Sequence, residues 1–321
     1  MPGGALDLET SSIHSYDIAV IRFTVVVPTY NRAESLEKCL AALAAQDQPR
    51  DSFEVVVVDD GSRTPPRDMV ARFAESMQIR LIEQANAGPA AARNAGATAA
   101  HGQFLAFTDD DCRPSPGWLS ALDVALARDP RSAVGGAVIS SLKNPFSTAS
   151  QLLVDFLYHY FARNNPDGQF FVTANVAMPT DMFKDLGGFD LTFPFAAAED
   201  RDLCERWNER GFGLVYSEDA VVWHSHPLRL GSFCRQHFTY GRGAWFLNKA
   251  KSRRGRAGLR VPPVSFYSKL VLFPLSKAPL PRGLILASLA ALSQLVYTTG
   301  FFWQSLMSSG SGASATTPQG K

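Results

Sequence analysis

Short apolar runs alternate with segments of helical periodicity in the first third of the chain. The runs have the length of buried strands, and the segments between them repeat apolar residues every three or four positions. In the first such segment Leu36, Leu40 and Leu43 share one face, and Asn31 with Glu34 fits a capping box. The alternation predicts an α/β fold, with a Rossmann-like, mostly parallel sheet and helices on both faces. The predicted strands are RFTVVVP (22–28), FEVVVVDDGS (53–62), IRLIEQ (79–84) and QFLAFTDDD (103–111).

After residue 116 the order of elements becomes mixed. The spacing predicts helices over 117–129 and 151–164, and strands over 169–179 and 213–226. We expect this half to extend the sheet and to form one wall of a cleft.

Polar residues follow three of the predicted strands. They are Pro28-Thr29-Tyr30-Asn31, Asp59-Asp60-Gly61 and Asp109-Asp110-Asp111. Ligands of open α/β sheets bind beyond the carboxyl ends of the strands, so these groups should share one edge. Two carboxylates about 4 Å apart repel by roughly 4 kcal/mol at an effective dielectric near 20. The triple aspartate therefore indicates screening by water, a shared proton or a bound cation.

Composition narrows the class of protein. The chain has 321 residues, 46% hydrophobic and 19% charged, with a formal net charge of +1, which predicts a globular protein and gives no sign of a nucleic-acid partner. Four scattered cysteines predict reduced thiols rather than disulfides or a thiolate metal site. The N-terminus lacks the pattern of a secretory signal.

Neither GxGxxG nor GxxxxGK[ST] occurs, so two common nucleotide-binding motifs are absent. Instead, PTYNR, DDGS, GPAAARN, TDDDC, GGFD and ED follow one another along the chain. Their order and spacing resemble the family-2 glycosyltransferases of the GT-A fold over residues 23–228. The resemblance implies inverting transfer of a sugar from a nucleoside-diphosphate sugar to a hydroxyl acceptor, either lipid-linked or a glycan.

The resemblance also assigns donor-binding residues. Tyr30 would pack on the nucleobase, although a core tyrosine is the alternative, and Asp60 would accept from a base N–H. Arg93 would face the diphosphate at a helix N-terminus, unless it is a solvated surface arginine. The full implied donor set is Pro28, Tyr30, Asn31, Asp59, Asp60, Arg93, Asp109 and Asp110.

A metal site is implied by the DxD pattern on Asp109 and Asp111. Asp111 and the two phosphates would hold Mg²⁺ or Mn²⁺, and Asp109 would contact the ribose. His224 would complete the metal shell. Residues two apart on a strand point the same way, so His226 is a second, weaker candidate. Surface histidines are the alternative.

The general base of the family falls in the ED pair, which implies Asp200 as base and Glu199 as its positioning neighbour. Acids at a helix start are favoured electrostatically in any protein, which is the alternative reading. TAN (173–175) and GGFD (187–190) would line the donor-sugar and acceptor side, with a helix C-terminus at Gly187 and Gly188 as the alternative. The QxxRW signature of processive members is missing, because CERW (204–207) differs from it and comes too early. Transfer of a single sugar is therefore expected.

Two rival functions remain at this stage, a nucleotidyltransferase and a catalytically lapsed, membrane-bound binding scaffold. The first would need a glycine- and lysine-bearing loop after the first strand, which PTYNRAES lacks.

The last segments predict membrane association. Residues 249–260 hold six basic residues and no acid, and residues 283–303 are uncharged and long enough to cross or to lie on a bilayer. We expect the cytoplasmic face of a membrane, with a cytoplasmic protein as the alternative. The predicted units are a leader (1–22), a glycosyltransferase domain (23–228, halves 23–115 and 116–228), a basic helical extension (229–260), membrane-associated helices (261–307) and a tail (308–321).

Overall fold

The computed structural model describes residues 21–164, 169–256 and 261–310, so most of the predicted leader and tail lie outside the described residues. The strands are β1 (Phe23–Thr29), β2 (Phe53–Asp59), β3 (Gln78–Glu83), β4 (Phe104–Phe107), β5 (Cys112–Pro114), β6 (Ala133–Ser140), β7 (Val176–Pro179) and β8 (Leu214–His224). The helices are α1 (Ala33–Ala44), α2 (Arg67–Phe73), α3 (Pro89–Thr98), α4 (Trp118–Arg128), α5 (Pro145–Asn164), α6 (Thr180–Asp185), α7 (Glu199–Glu209), α8 (Leu230–Arg253), α9 (Val264–Leu272) and α10 (Leu280–Gly310).

The strands form a single sheet in the order β3-β2-β1-β4-β7-β6-β8-β5. Its first four strands are parallel, whereas β7 and β5 run against their neighbours. The predicted mostly parallel sheet is confirmed. The carboxyl ends of β1, β2 and β4 meet at one edge, as the parallel register requires.

Both faces of the sheet are covered, which explains why β1 and β2 are buried throughout. Val25 and Val27 pack on the α1 side with Leu36 and Leu40, and Val26 packs on the α3 side. Burying one such side chain stabilises the fold by about 1.5–3 kcal/mol. Because both faces of β1 and β2 are buried, their sequences are apolar without interruption, and this pattern predicted the two strands.

The second half differs from prediction in its strands. β5 and β6 were not predicted, and within 169–179 only the last four residues form a strand, after a 3-10 turn at Thr173–Asn175. β6 contains Gly135 and Gly136, which break the apolar pattern. A Cβ at either glycine would overlap the Phe171 ring or the carbonyl of Ala220, so both positions need glycine for close packing.

The C-terminal helices α9 and α10 pack on α5, and α10 also packs on α8. α10 lies against α8, where Gly241 and Gly300 let the two backbones approach closely. One face of α10 is buried, including Leu286 and Ala290, and the opposite face is exposed. Its residues Leu280–Ser309 are long and apolar enough to cross a membrane by length and composition. All four cysteines are free thiols.

Candidate active site

A cavity of about 1000 Å³ opens at the carboxyl ends of β1, β2 and β4. It brings together most of the residues that the sequence singled out, from six separate segments of the chain. Asn31 and Asp59 are not among the residues that line it. The predicted residues that line it are Pro28, Tyr30, Asp60, Arg93, Asp109, Asp110, Asp111, Glu199, Asp200 and His224.

The loop after β1 places Tyr30 at the rim with 49% of its surface exposed, so it is not a core tyrosine. Asn31 has a positive φ of 55° and its side-chain oxygen accepts the N–H of Arg63 at 2.9 Å. The capping-box prediction for Asn31 is wrong, because this side chain holds the neighbouring loop and Arg32 occupies the N-cap of α1 without a side-chain bond. Asp59 is buried and receives the N–H of Ser62.

Asp60 fixes the turn that leads into α3. Its carboxylate accepts the N–H groups of Ala87 and Gly88 at 2.9 and 2.8 Å and the Gln84 amide at 2.7 Å. A carboxylate has about four acceptor positions, so one position remains for a ligand. The side chain of Asp60 thus shapes the cavity as well as lining it.

Arg93 connects the two ends of the cavity. It is buried, and its guanidinium donates to Asp109 at 2.7 Å and to Glu199 at 3.2 Å. The solvated-arginine alternative is therefore wrong. Its Nε is buried and lacks a hydrogen-bond partner among the described residues.

The triple aspartate is held by cations from within the chain. Arg32, which the sequence analysis did not select, donates to Asp110 at 3.1 Å and to Asp111 at 2.9 Å. Burial raises the pKa of Asp110 to about 6, against the influence of Arg32 and of the Thr29 hydroxyl at 2.8 Å. The only sequence signal for Arg32 was its place at the end of the PTYNR motif.

The surroundings of Asp111 fit a divalent cation. Nε2 of His224 lies 3.1 Å from Oδ1 of Asp111, yet this buried oxygen has no aligned hydrogen-bond donor in the described chain. Nδ1 of His226 lies 3.4 Å from the other oxygen, Oδ2. Burial opposes ionisation of Asp111, but the two histidines and Arg32 hold its pKa well below the usual range. An ionised carboxylate with a free oxygen beside an imidazole is a donor set for Mg²⁺ or Mn²⁺.

Cys112 belongs to the same cluster, since its Sγ lies within 4.8 Å of the ligand atoms of Asp111 and His224. The β5–β8 register places Cys112 directly opposite His224. Burial raises the pKa of the Cys112 thiol well above its ordinary value. A protonated thiol is a poor ligand for a hard cation, so the oxygen and nitrogen atoms are the relevant donors.

The acid pair lies at the start of α7, across the cavity. Burial and the mutual repulsion of the pair raise the pKa of Glu199 to about 7, although Arg93 opposes this shift, and burial also raises the pKa of Asp200. Ala198, just before them, has a positive φ of 72°. Such a conformation costs roughly 1–2 kcal/mol in a residue other than glycine. The absent side chain of Gly243 on α8 leaves room for this strained segment, because a Cβ there would overlap Ala197.

Ion pairs anchor α7 from beneath the cavity. Asp202 is fully buried and accepts from Nε of Arg206 and Nη1 of Arg254, each at 2.7 Å. Lys251 pairs with Glu205 at 2.6 Å. α7 and α8 are thereby joined, and the acid pair is held by this ionic contact.

The predicted sugar and acceptor segments are only partly right. Thr173 and Ala174 reach the cavity wall, but Asn175 is buried, and its amide bonds Trp118 and the carbonyls of Ala137 and Ala220. GGFD is not in the wall: Gly187 and Gly188 terminate α6 with positive φ, and Asn94 binds the backbone of Phe189. Both segments contain polar or flexible residues that the packing uses, so their motif positions misled the prediction.

A wall that the sequence analysis missed comes from α8. Its polar side chains recur at helical spacing. This spacing was already visible in the sequence FCRQHFTYGRGAW (233–245). The α8 residues that line the cavity are Ser232, Arg235, Gln236, Thr239, Tyr240 and Ala244.

Comparisons with known proteins agree with this geometry. The family model "Glycosyl transferase family 2" matches residues 24–187. The chain is 29% identical over 238 residues to the glycosyltransferase AglE of Haloferax volcanii, covering 72% of this chain and 76% of AglE. It is 33% identical to a pre-mycofactocin glycosyltransferase of Mycobacterium tuberculosis, covering 69% of this chain but only 46% of that relative.

Solved structures share the fold. The mannosyltransferase PcManGT from Pyrobaculum calidifontis, in complex with GDP-Man and Mn²⁺, superposes with a TM-score of 0.57 at 25% identity, covering 89% of this chain and 84% of PcManGT. S. aureus TarS (residues 1–349) superposes with a TM-score of 0.53 at 16% identity, covering 90% and 92% of the two chains.

Proposed function

The chain belongs to glycosyl transferase family 2, and from this membership we propose inverting, metal-dependent transfer of one sugar from a nucleoside-diphosphate sugar to a hydroxyl acceptor. It is a glycosyltransferase of the GT-A fold. One observation carries the proposal: the triple aspartate and the Glu199–Asp200 pair face one cavity, with Arg93 bonded to both sides. Family membership favours glycosyl transfer over the nucleotidyltransferase and scaffold alternatives.

Donor binding would use the sheet edge. Tyr30 offers an exposed ring for the nucleobase, and Asp60 keeps one acceptor position for a base N–H. Asp109 would contact the ribose, and Arg93 would hold the Asp109 carboxylate in position. The GDP-Man bound to PcManGT supports a nucleoside-diphosphate sugar as the class of donor, without fixing which one.

Asp111 and His224 would hold Mg²⁺ or Mn²⁺ together with the donor phosphates. The bound cation supplies charge neutralisation for the departing nucleoside diphosphate. The free Oδ1 of Asp111 supports this assignment, as does the Mn²⁺ in the PcManGT complex. Arg32 would keep Asp110 and Asp111 together in the absence of donor.

Asp200 would take the proton of the acceptor hydroxyl, so that the oxygen attacks the anomeric carbon opposite the leaving diphosphate. A positioned base contributes about 10²–10⁴-fold in rate. Burial raises the pKa of Asp200, although Arg201 and Arg93 oppose the shift, and the raised pKa strengthens it as a base. Direct displacement needs no covalent intermediate, and its stereochemical outcome is inversion.

Donor turnover against a nucleotide-sugar panel, with Mn²⁺, Mg²⁺ or EDTA, tests this proposal. We expect release of nucleoside diphosphate from one donor only when the cation is present, and loss of this metal-dependent turnover in Asp111→Asn. Asp47→Asn is the matched control, because Asp47 lies outside the cavity wall. Equal turnover in EDTA would contradict the metal assignment.

We also propose that the C-terminal helices bind an anionic membrane surface. Residues 220–321 contain 13 of the 31 Lys and Arg residues and none of the 30 Asp and Glu residues. The outer face of α10 exposes Leu295, Phe302 and Trp303, and α9 exposes Val264. Apolar side chains beside basic ones favour anionic lipid, which is typical of the cytoplasmic leaflet.

Flotation of the full-length protein with vesicles tests the membrane proposal. We expect it to float with phosphatidylserine-containing vesicles and less with pure phosphatidylcholine, and salt should weaken the difference. Absence of flotation with either composition would refute it.

A further inference from the structure

The arginines that face the cavity differ in what they bind. Arg32 and Arg93 are paired with the aspartates and Glu199. Arg201 also lines the cavity and is half-buried, yet no carboxylate or other hydrogen-bond acceptor in the described ranges receives its guanidinium. Within the described ranges its guanidinium therefore forms no ion pair, although the neighbouring Asp200 carboxyl feels its charge.

Arg201 is held in place by aromatic rings. Its guanidinium carbon lies 4.9 Å from the centroid of the Phe170 ring and 5.8 Å from that of Phe161. Stacking of this kind fixes the plane of the guanidinium while leaving its N–H donors free. Arg235, on α8, also lacks a partner in the described chain, but it is exposed and has no such support.

The position of Arg201 assigns it to the acceptor side. It follows the proposed base, and its backbone N–H donates to Oδ1 of Asp200 at 2.7 Å. Donor phosphates belong beside Asp111, across the cavity. A ligand group bound by Arg201 would therefore be part of the molecule whose hydroxyl meets Asp200.

Apolar side chains line the same cavity as Arg201. They are Val154 and Leu157 of α5, Tyr297 of α10, and Phe170, which stacks on the Arg201 guanidinium. A guanidinium beside apolar side chains suits a ligand with one anionic group and an apolar body.

We propose that Arg201 forms an acceptor subsite for a phosphate-type anion carried on an apolar chain. The inference rests on the proposed function and deepens it. Arg201 binds and orients the acceptor, and no bond to the anionic group is made or broken.

Binding of n-octyl phosphate to the full-length protein in detergent tests the subsite. EDTA is present, so that no cation draws the phosphate to Asp111. We expect n-octyl phosphate to bind at least about tenfold more tightly than n-octanol, since a charge-assisted contact is worth that much or more. Arg201→Gln should abolish this preference and Arg201→Lys should retain part of it. Arg210→Gln, at the exposed far end of α7, should leave it unchanged.

Glycerol 1-phosphate carries the same anionic group without an apolar chain. We expect it to bind more weakly than n-octyl phosphate. Equal binding of the two compounds would refute the proposal that the ligand has an apolar body. An unchanged preference in Arg201→Gln would overturn the subsite itself.

The outcome is independent of sugar transfer. Arg201-dependent binding without donor turnover would uphold the subsite and refute the proposed function, whereas turnover without an anion preference would do the reverse.

Discussion

The chain divides into two regions of opposite charge. Residues 1–219 carry 18 basic and 30 acidic residues, whereas residues 220–321 carry 13 basic residues and no acid. The near-neutral total hides this contrast. In the first region Asp109, Asp110, Asp111 and Glu199 pair with Arg32 or Arg93, and in the second Lys251, Arg254 and Arg256 pair with acids of α7.

The contrast between the two regions shows two uses of charge, one to fix the geometry of a site and one to attract a partner. Paired charges such as Arg93 with Asp109 fix the geometry of a site, because each restricts the other. Unpaired charges on an exposed surface are available for a partner. The contact between α7 and α8, where Arg254 reaches Asp202, is where the second region supplies cations to the first.

The largest expected effect comes from removing the charge of the proposed base. Asp200→Asn should lower the rate of sugar transfer by about 10²–10⁴-fold. Binding of the nucleoside diphosphate with Mn²⁺ should persist, because Asp200 makes no contact with the triple aspartate. Calorimetry for binding and product assays for transfer give both values. Transfer within a few-fold of the parent protein would refute the base assignment.

The second prediction breaks the ionic contact between the regions. Asp202→Asn leaves Arg206 and Arg254 without their buried negative charge, so we expect the free energy of unfolding to fall by about 3 kcal/mol. Urea unfolding of the full-length protein measures it. Arg256→Gln is the control, since Arg256 pairs with Glu209 at the surface and should change stability by less than about 1 kcal/mol. Similar losses in both variants would contradict the importance of burial.

The third prediction concerns pH. Burial and Asp200 raise the pKa of Glu199 to about 7, with Arg93 opposing and Asp109 adding to the shift. The proposed base, Asp200, works ionised and burial raises its pKa, so kcat/KM for transfer should fall as the pH is lowered, by up to about tenfold per pH unit. Glu199→Gln removes a neighbouring negative charge, which lowers the pKa of Asp200 and moves the acid limb to lower pH.

The control for the pH profile is Glu218→Gln, at an exposed position on β8. Its acid limb should match that of the parent protein. If the limb stays in place in Glu199→Gln as well, the two acids are not coupled as described.

Much of the site was predictable because strand ends are set by local sequence. The valine runs determine β1 and β2, and their parallel register then brings Tyr30, Asp60 and the triple aspartate to one edge. Asn175 and the GGFD segment could not be judged in this way, because their hydrogen bonds depend on partners far along the chain. Arg32 and Arg201 were missed for the same reason: a pairing, or the lack of one, is a property of the folded chain.

The smallest expected effect concerns the basic surface of the second region. Lys269 and Lys277 are exposed beside the apolar residues of α9 and α10, and each should contribute about 1 kcal/mol to binding of anionic vesicles. Lys269→Gln and Lys277→Gln should each weaken binding to phosphatidylserine-containing vesicles about fivefold, and the double variant should lose about the product of the two. Arg50→Gln removes an exposed charge from the first region and should have no effect. Equal losses in all three single variants would mean that net charge, rather than this surface, governs the attraction.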